Sequence, residues 1–234
     1  MSDKVFQRPP TAQQAVLVEL RRAIIEGEMP PGSQIVQDSL ADKLGVSRVP
    51  IREALRILEG EGQVSHAPHR GYFVAELSIE ELLEIQRLRA LLEPEAVTKA
   101  IPALTDDDVR TMAAAYAEME AAAARQDIGG VNVAHTRFHF ALLGACGMPR
   151  LIRILRQLWA MADPYRAIYH GNEPSRQRAQ SEHAQILEAT RQRDVVRLLV
   201  LLAEHRQHTV DRLSEPLAKH AAAEGSIADR ARAV

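Results

Sequence analysis

The chain has 234 residues, 46% apolar and 26% charged, with a formal net charge of −2, which allows two modest domains, each with its own core. The near-neutral balance gives no global electrostatic case for a polyanionic partner, and one cysteine, Cys146, excludes an intrachain disulfide and fits a reducing compartment. The first ten residues lack the apolar core of a signal peptide, and no run approaches the roughly 18 apolar residues of a membrane span, so a cytoplasmic protein without a membrane partner is expected.

Residues 1–10 end in Pro9-Pro10 and read as an arm. Thr11 can cap a first helix with Val16, Leu20, Ala23 and Ile24 on its apolar face, which stops near Gly27 before a Pro30-Pro31-Gly32 loop. Ser39–Leu44 reads as a short helix, Gly45 allows a turn, and Ser47 can cap the helix that follows, with Pro50 in its first turn. Along that helix Ile51, Ala54, Leu55 and Leu58 keep the spacing of a buried face, while Arg48, Arg52 and Arg56 stand one above another on a different face. An arginine stripe alone is more often a solvated surface, but this one follows a helix–glycine–helix unit. Gln63–His66 and Tyr72–Ala75 then read as strands joined by the basic-tipped loop Ala67–Gly71. The pattern is a winged helix-turn-helix, whose arginines can reach guanine edges and whose first-turn N–H groups can meet phosphates. Residues 1–76 hold nine Lys and Arg against ten Asp and Glu, so the positive charge is local and few phosphate contacts are expected.

The run Ile24-Ile25-Glu26-Gly27, Pro31-Gly32, Leu40-Ala41, Val46-Ser47-Arg48, Pro50-Ile51-Arg52-Glu53-Ala54-Leu55, Leu58-Glu59, Gly62, Pro68, Gly71 and Val74 resembles the DNA-binding half of GntR-family transcription regulators. The resemblance makes Ser47, Arg48, Val49, Pro50, Arg52, Arg56, Arg70 and Gly71 the expected DNA-contacting residues. Asp38 stands where the best-known subfamily member carries an arginine, so operator preference does not transfer.

Ala75-Glu76-Leu77 is a short connection to Ser78, a good cap with Glu81 at the capping-box position. From there only helices are expected, over about 78–100, 106–126, 128–146, 148–169, 174–192 and 194–214, with breaks at Pro102, Asp127, Gly147, Gly171 and Arg193. The expected organisation is mainly α: an arm (1–10), a winged helix-turn-helix domain (11–76), an all-α helical bundle (78–220) and a flexible tail (221–234).

Seven of the nine histidines lie between 135 and 220. His135 and His139 share a helix face with Phe138, Leu142 and Leu143; His183 aligns with Ile186 and Leu187, and His205 with Leu198, Leu201 and Leu202. If the last two helices turn near Arg193, His183 and His205 both sit roughly 15–18 Å from the turn at about 1.5 Å per residue, hence at nearly one height. The four imidazoles then form a nitrogen site suited to a divalent transition metal, zinc first, with nickel, manganese, iron or cobalt as rivals. The competing reading is four separate, satisfied core histidines.

Arg89-Ala90-Leu91-Leu92-Glu93-Pro94-Glu95-Ala96, Phe138-His139, Glu182-His183, Asp194 and His205 resemble the FCD effector domain of the FadR subfamily. The resemblance implies a metal held by one aspartate and three histidines at the floor of a ligand cavity. His139, His183 and His205 match the histidine positions, whereas His135 stands where aspartate or asparagine is usual. It also makes Arg89 a candidate clamp for an effector carboxylate, the alternative being an ion pair with Glu93 one turn on. Tyr165, Arg166 and Tyr169 could line the cavity without any sequence signal that places them, and His170 and His208 read as surface or supporting residues. The combined reading is a homodimeric regulator, more a repressor than an activator, of a palindromic double-stranded DNA operator, modulated by a small carboxylate effector at the metal. A metal-dependent enzyme and a regulator with a purely structural metal are the alternatives; against the enzyme, no carboxylate stands between His135 and His139 to act as a base.

Overall fold

The computed structural model describes residues 11–232, with side chains through residue 215 and at Leu217; the arm expected at 1–10 lies outside the described residues. The chain forms two compact units, Met1–Glu76 and Leu77–Val234.

In the first unit, α1 (Ala12–Ile25) opens with a capping box in which Thr11 and Gln14 exchange hydrogen bonds. After β1 (Gln34–Ile35) come α2 (Gln37–Leu44), α3 (Arg48–Gly60), β2 (Val64–Ala67) and β3 (Gly71–Val74). Gly45 closes α2 in the left-handed region at φ 64°, which sets the turn into α3. Ser47 occupies the position before α3, but its hydroxyl makes no capping bond; water can satisfy the N–H groups of this exposed end instead. The apolar faces of α1 and α3 meet through Val16, Leu20, Ile24, Ile51, Leu55 and Leu58, and the inner residues of the sheet, Val64, Tyr72 and Val74, close that core. The sheet has the order β1-β3-β2, all pairs antiparallel. Its first strand, with Gln34 opposite Phe73 and Ile35 opposite Tyr72, was not expected from sequence, since two residues carry no readable alternation.

The second unit is all helical: α4 (Ile79–Ala103), α5 (Asp106–Ala124), α6 (Ile128–Leu143), a 3-10 turn (Gly144–Cys146), α7 (Pro149–Met161), α8 (Asp163–Gly171), α9 (Glu173–Arg191) and α10 (Val195–Arg232). Several breaks match the sequence signals. Ser78 caps α4 and Asp127 caps α6, while Gly147 and Arg193 turn at positive φ. Glu81 does not complete a capping box; its carboxylate accepts a hydrogen bond from the Tyr165 hydroxyl, which itself accepts from the Ser78 backbone N–H. Two differences matter more. The single helix expected over 148–169 is two, broken at Ala162 with Pro164 in the first turn of α8, because proline cannot donate the N–H that would continue α7. The last helix, expected to end near 214, runs to Arg232, through the region expected to be a flexible tail; its alanines favour helix. Buried Ala96, Val97, Met112, Ala115, Met119, Phe138, Leu142, Leu155, Trp159, Ile186 and Leu198 join α4–α7, α9 and α10 in one core, in which Cys146 is also buried.

Candidate functional site

α6 delivers His135 and His139 from the face that also buries Ala134, Phe138 and Leu142; α9 delivers His183, and α10 delivers His205. One ligand nitrogen from each of the four lies within 4.8 Å of the others, and all four side chains are buried. The equal height inferred for His183 and His205 holds, with ring centroids 4.5 Å apart.

Two of the rings have their outer nitrogens engaged. His183 Nδ1 lies 2.5 Å from the Ala179 carbonyl oxygen, an acceptor only, which places the proton on Nδ1 and leaves Nε2 a lone pair. His205 Nδ1 lies 2.6 Å from Glu182 Oε2, and His208 Nδ1 is the same distance from Glu182 Oε1. The His183 lone pair faces His139 Nε2 at 3.1 Å. His135 Nδ1 is buried without a hydrogen-bond partner. Burial, then the neighbouring imidazoles, holds His135, His139 and His183 well below the ordinary histidine pKa, so they are neutral at pH 7. Converging imidazole nitrogens, two of the rings oriented by outer partners and one with its Nδ1 unpaired, fit a borderline divalent ion.

Trp159, the one tryptophan of the chain, sits beside this cluster, its ring centroid 4.8 Å from that of His139 and 5.4 Å from that of His135. Its indole N–H donates to Glu93 Oε1 at 2.9 Å. Glu93 also accepts from Arg89 Nε at 2.8 Å and Arg206 Nη1 at 2.6 Å. Burial raises the Glu93 carboxyl pKa, but the two arginines outweigh it and keep the group ionised. The Arg89 and Arg166 guanidinium carbons lie over the indole at 4.1 and 4.8 Å. Arg89 therefore makes the ion pair with Glu93 and also lines a cavity with His135, His205, Arg166, His170 and Arg206. That cavity is about 10 Å³, room for about one water.

In the first unit the arginine stripe is exposed as drawn from sequence: Ser47, Arg48, Val49, Arg52 and Arg56 are exposed and Pro50 is half-buried. Arg48 Nε pairs with Asp38 of α2, a contact that groove or phosphate binding by Arg48 would exchange. At the wing Arg70 is exposed, its guanidinium 5.3 Å from the centre of the Phe73 ring, and Gly71 is half-buried at φ 95°.

Residues 12–74 match the bacterial regulatory proteins of the gntR family, and residues 84–208 match the FCD domain. The chain belongs to the GntR family, FCD subfamily. It is a DNA-binding transcription regulator, and its relatives and structural neighbours are regulators rather than enzymes. Among them, the HTH-type transcriptional regulator McbR of Escherichia coli is 29% identical over 72% of this chain and 77% of its own length. The E. coli HTH-type transcriptional repressor GlaR is 31% identical over 64% of this chain and 70% of its own. The solved structure of E. coli McbR/YncC superposes with a TM-score of 0.76 at 25% identity, covering 89% of this chain and 99% of that one. A putative GntR regulator from Rhodococcus sp. RHA1 gives 0.74 at 25% identity, over 88% and 99%.

Sequence reasoning missed Trp159, Arg206 and the separate helix α8. His170, read as a surface or supporting residue, is 2% exposed and lines the cavity. The spacing of Arg166 and His170 at i and i+4, shortly after Pro164, was the available signal.

Proposed function

We propose that this GntR-family regulator works as a homodimeric repressor that holds a divalent transition metal in its helical domain and reads a small organic acid there. The observation that carries the reading is one cavity lined by His135 and His205 of the buried cluster together with Arg89, Arg166 and Arg206. His135, His139, His183 and His205 would hold the metal, which supplies a Lewis-acidic anchor for a carboxylate oxygen. Arg89, its Nε already committed to Glu93, would grip the same acid from the cavity lining. Ser47, Arg48, Val49, Pro50, Arg52 and Arg56 would enter the major groove and meet its phosphates, with Arg70 and Gly71 of the wing at the adjacent minor groove. Leu83, Leu88 and Leu91 are exposed along α4, an apolar surface suited to a second copy. A two-fold dimer requires a palindromic operator. An acid that favours one arrangement of the bundle would act through the short Ala75-Glu76-Leu77 connection on the spacing of the two DNA-binding domains. The GlaR relative, named as a repressor, supports that sign of control.

The test is a thermal-shift screen of small organic acids on the purified protein, with and without chelator. Stabilisation by an acid that disappears with chelator supports a metal-anchored sensor. Absence of any acid response, with collapse of the melting temperature on chelation alone, would instead make the metal structural.

A further inference from the structure

The cavity lining is cationic. Among the described residues its charged lining groups are Arg89, Arg166 and Arg206, and no carboxylate lines it. Glu93 and Asp163 lie behind them and are spent on holding them: Glu93 takes Arg89 and Arg206, and Asp163 takes Arg166 Nη2. Arg166 is 4% exposed, yet its Nε and Nη1 have no hydrogen-bond partner, and neither has Nδ1 of His170, 2% exposed, one turn further along α8. A buried guanidinium with two unpaired N–H edges is a costly arrangement unless an acceptor arrives. His170 adjoins the four-histidine cluster, its ring centroid 5.3 Å from that of His135.

We propose that Arg166 and His170 on α8 form a second anion subsite beside the histidine cluster, and that the acid bound here carries at least two acidic groups on a short skeleton. This rests on the organic-acid reading above and adds the charge of the ligand to it. His135 strengthens the case. With four imidazole ligands and no carboxylate, a divalent ion would keep both of its charges, in addition to the one by which the three guanidinium groups exceed Glu93 and Asp163. One acidic group would meet the metal and Arg89, and the second would take the unpaired edge of Arg166 in a two-point contact with help from an imidazole N–H. Because the cavity holds about one water as it stands, the acid must displace the side chains that fill it, and Arg166 and His170 ride on the short α8.

The experiment is isothermal titration calorimetry on full-length, metal-loaded protein with acids of matched size: a monocarboxylate, succinate, propane-1,2,3-tricarboxylate and a phosphorylated three-carbon monoacid. Binding of the polyacids about tenfold or more tighter than the monoacid is expected. The tricarboxylate and phosphate arms tell whether the second group is a carboxylate or a phosphate. Arg166→Gln should abolish the advantage of the polyacids over the monoacid, and His170→Gln should reduce it. Should Arg166→Gln fail to fold, the wild-type charge series and His170→Gln still decide. Equal affinity for mono- and polyacids overturns the second subsite but leaves the organic-acid sensor standing. Metal binding without response to any acid overturns both.

Discussion

Acidifying the metal-free protein from pH 6.5 to 5.5 should destabilise the helical domain by an amount that its buried histidines set. His135, His139 and His183 lie well below the ordinary histidine pKa, chiefly through burial, and burial together with Arg166 pushes His170 down to about 3. The folded protein therefore declines protons that the unfolded chain accepts. Stability from these groups is complete above the unfolded value of 6.5 and is lost as pH falls toward the folded values. Between pH 6.5 and 5.5 each such histidine removes about 1 kcal/mol, so the four together remove about 4 kcal/mol at most. That is a large part of the roughly 5–15 kcal/mol that holds a domain folded. Carboxylates with ordinary pKa values hardly titrate in this window, which isolates the histidines. Urea unfolding in the presence of chelator, followed by helical circular dichroism at pH 7.5, 6.5 and 5.5, gives the slope directly. His170→Gln should recover about 1 kcal/mol of the loss. An unfolding free energy that stays flat across this range would refute the claim that these imidazoles are buried and neutral.

Other consequences are as open to measurement. Glu182→Gln replaces the carboxylate that receives His205 Nδ1, and metal affinity, read by competition with a coloured chelator, should fall about 10–100-fold. Leu55→Ala, at a position 0% exposed in the core of the DNA-binding unit, should cost that unit about 2–5 kcal/mol in denaturant unfolding. Arg52→Ala should weaken binding to a selected operator by about 1–3 kcal/mol if it contacts a base edge. In that case specificity would relax at one position of each half-site in a competition assay. A loss equal for all sequences, with a shallower salt dependence, would make Arg52 a phosphate contact.

The DNA-binding unit was legible from sequence because its signals are short-ranged. A glycine at positive φ, Pro50 in a first turn and apolar residues at three-four spacing each act within a few positions, and together they leave one arrangement. The histidine cluster was legible for a different reason. His183 and His205 lie on helices that meet at one short turn, so distance along each helix translates into height, and His135 and His139 share a face by spacing alone. Nothing comparable placed the cationic wall. Arg89 and Glu93 announce an ion pair at i and i+4, but that Trp159 and Arg206 converge on the same carboxylate is a property of how α4, α7 and α10 pack.

The break between α7 and α8 shows where sequence periodicity stops being informative. Leu151, Leu155, Leu158 and Trp159 continue without interruption into Ala162, Tyr165, Arg166 and Tyr169, all buried, so the pattern reads as one helix. Pro164 was the only contrary mark, and a proline in a helical run signals either a kink or an end without saying which. Pro94 sits well inside α4 and does not end it, whereas Pro102 stands one residue before its last. The difference is support. Pro94 is flanked by residues buried on both turns, Glu93 and Val97 among them, and that packing keeps α4 continuous through a missing N–H. Near Pro164 the helix is interrupted instead, at Ala162, and the helix that follows is the one that carries Arg166 and His170 to the cavity. A Pro164→Ala substitution that let α7 run on would draw those two side chains off the wall. Polyacid binding should then be lost while the histidine cluster, built from α6, α9 and α10, still takes up metal. Loss of metal uptake along with the acid would mean instead that α8 also holds the cluster together.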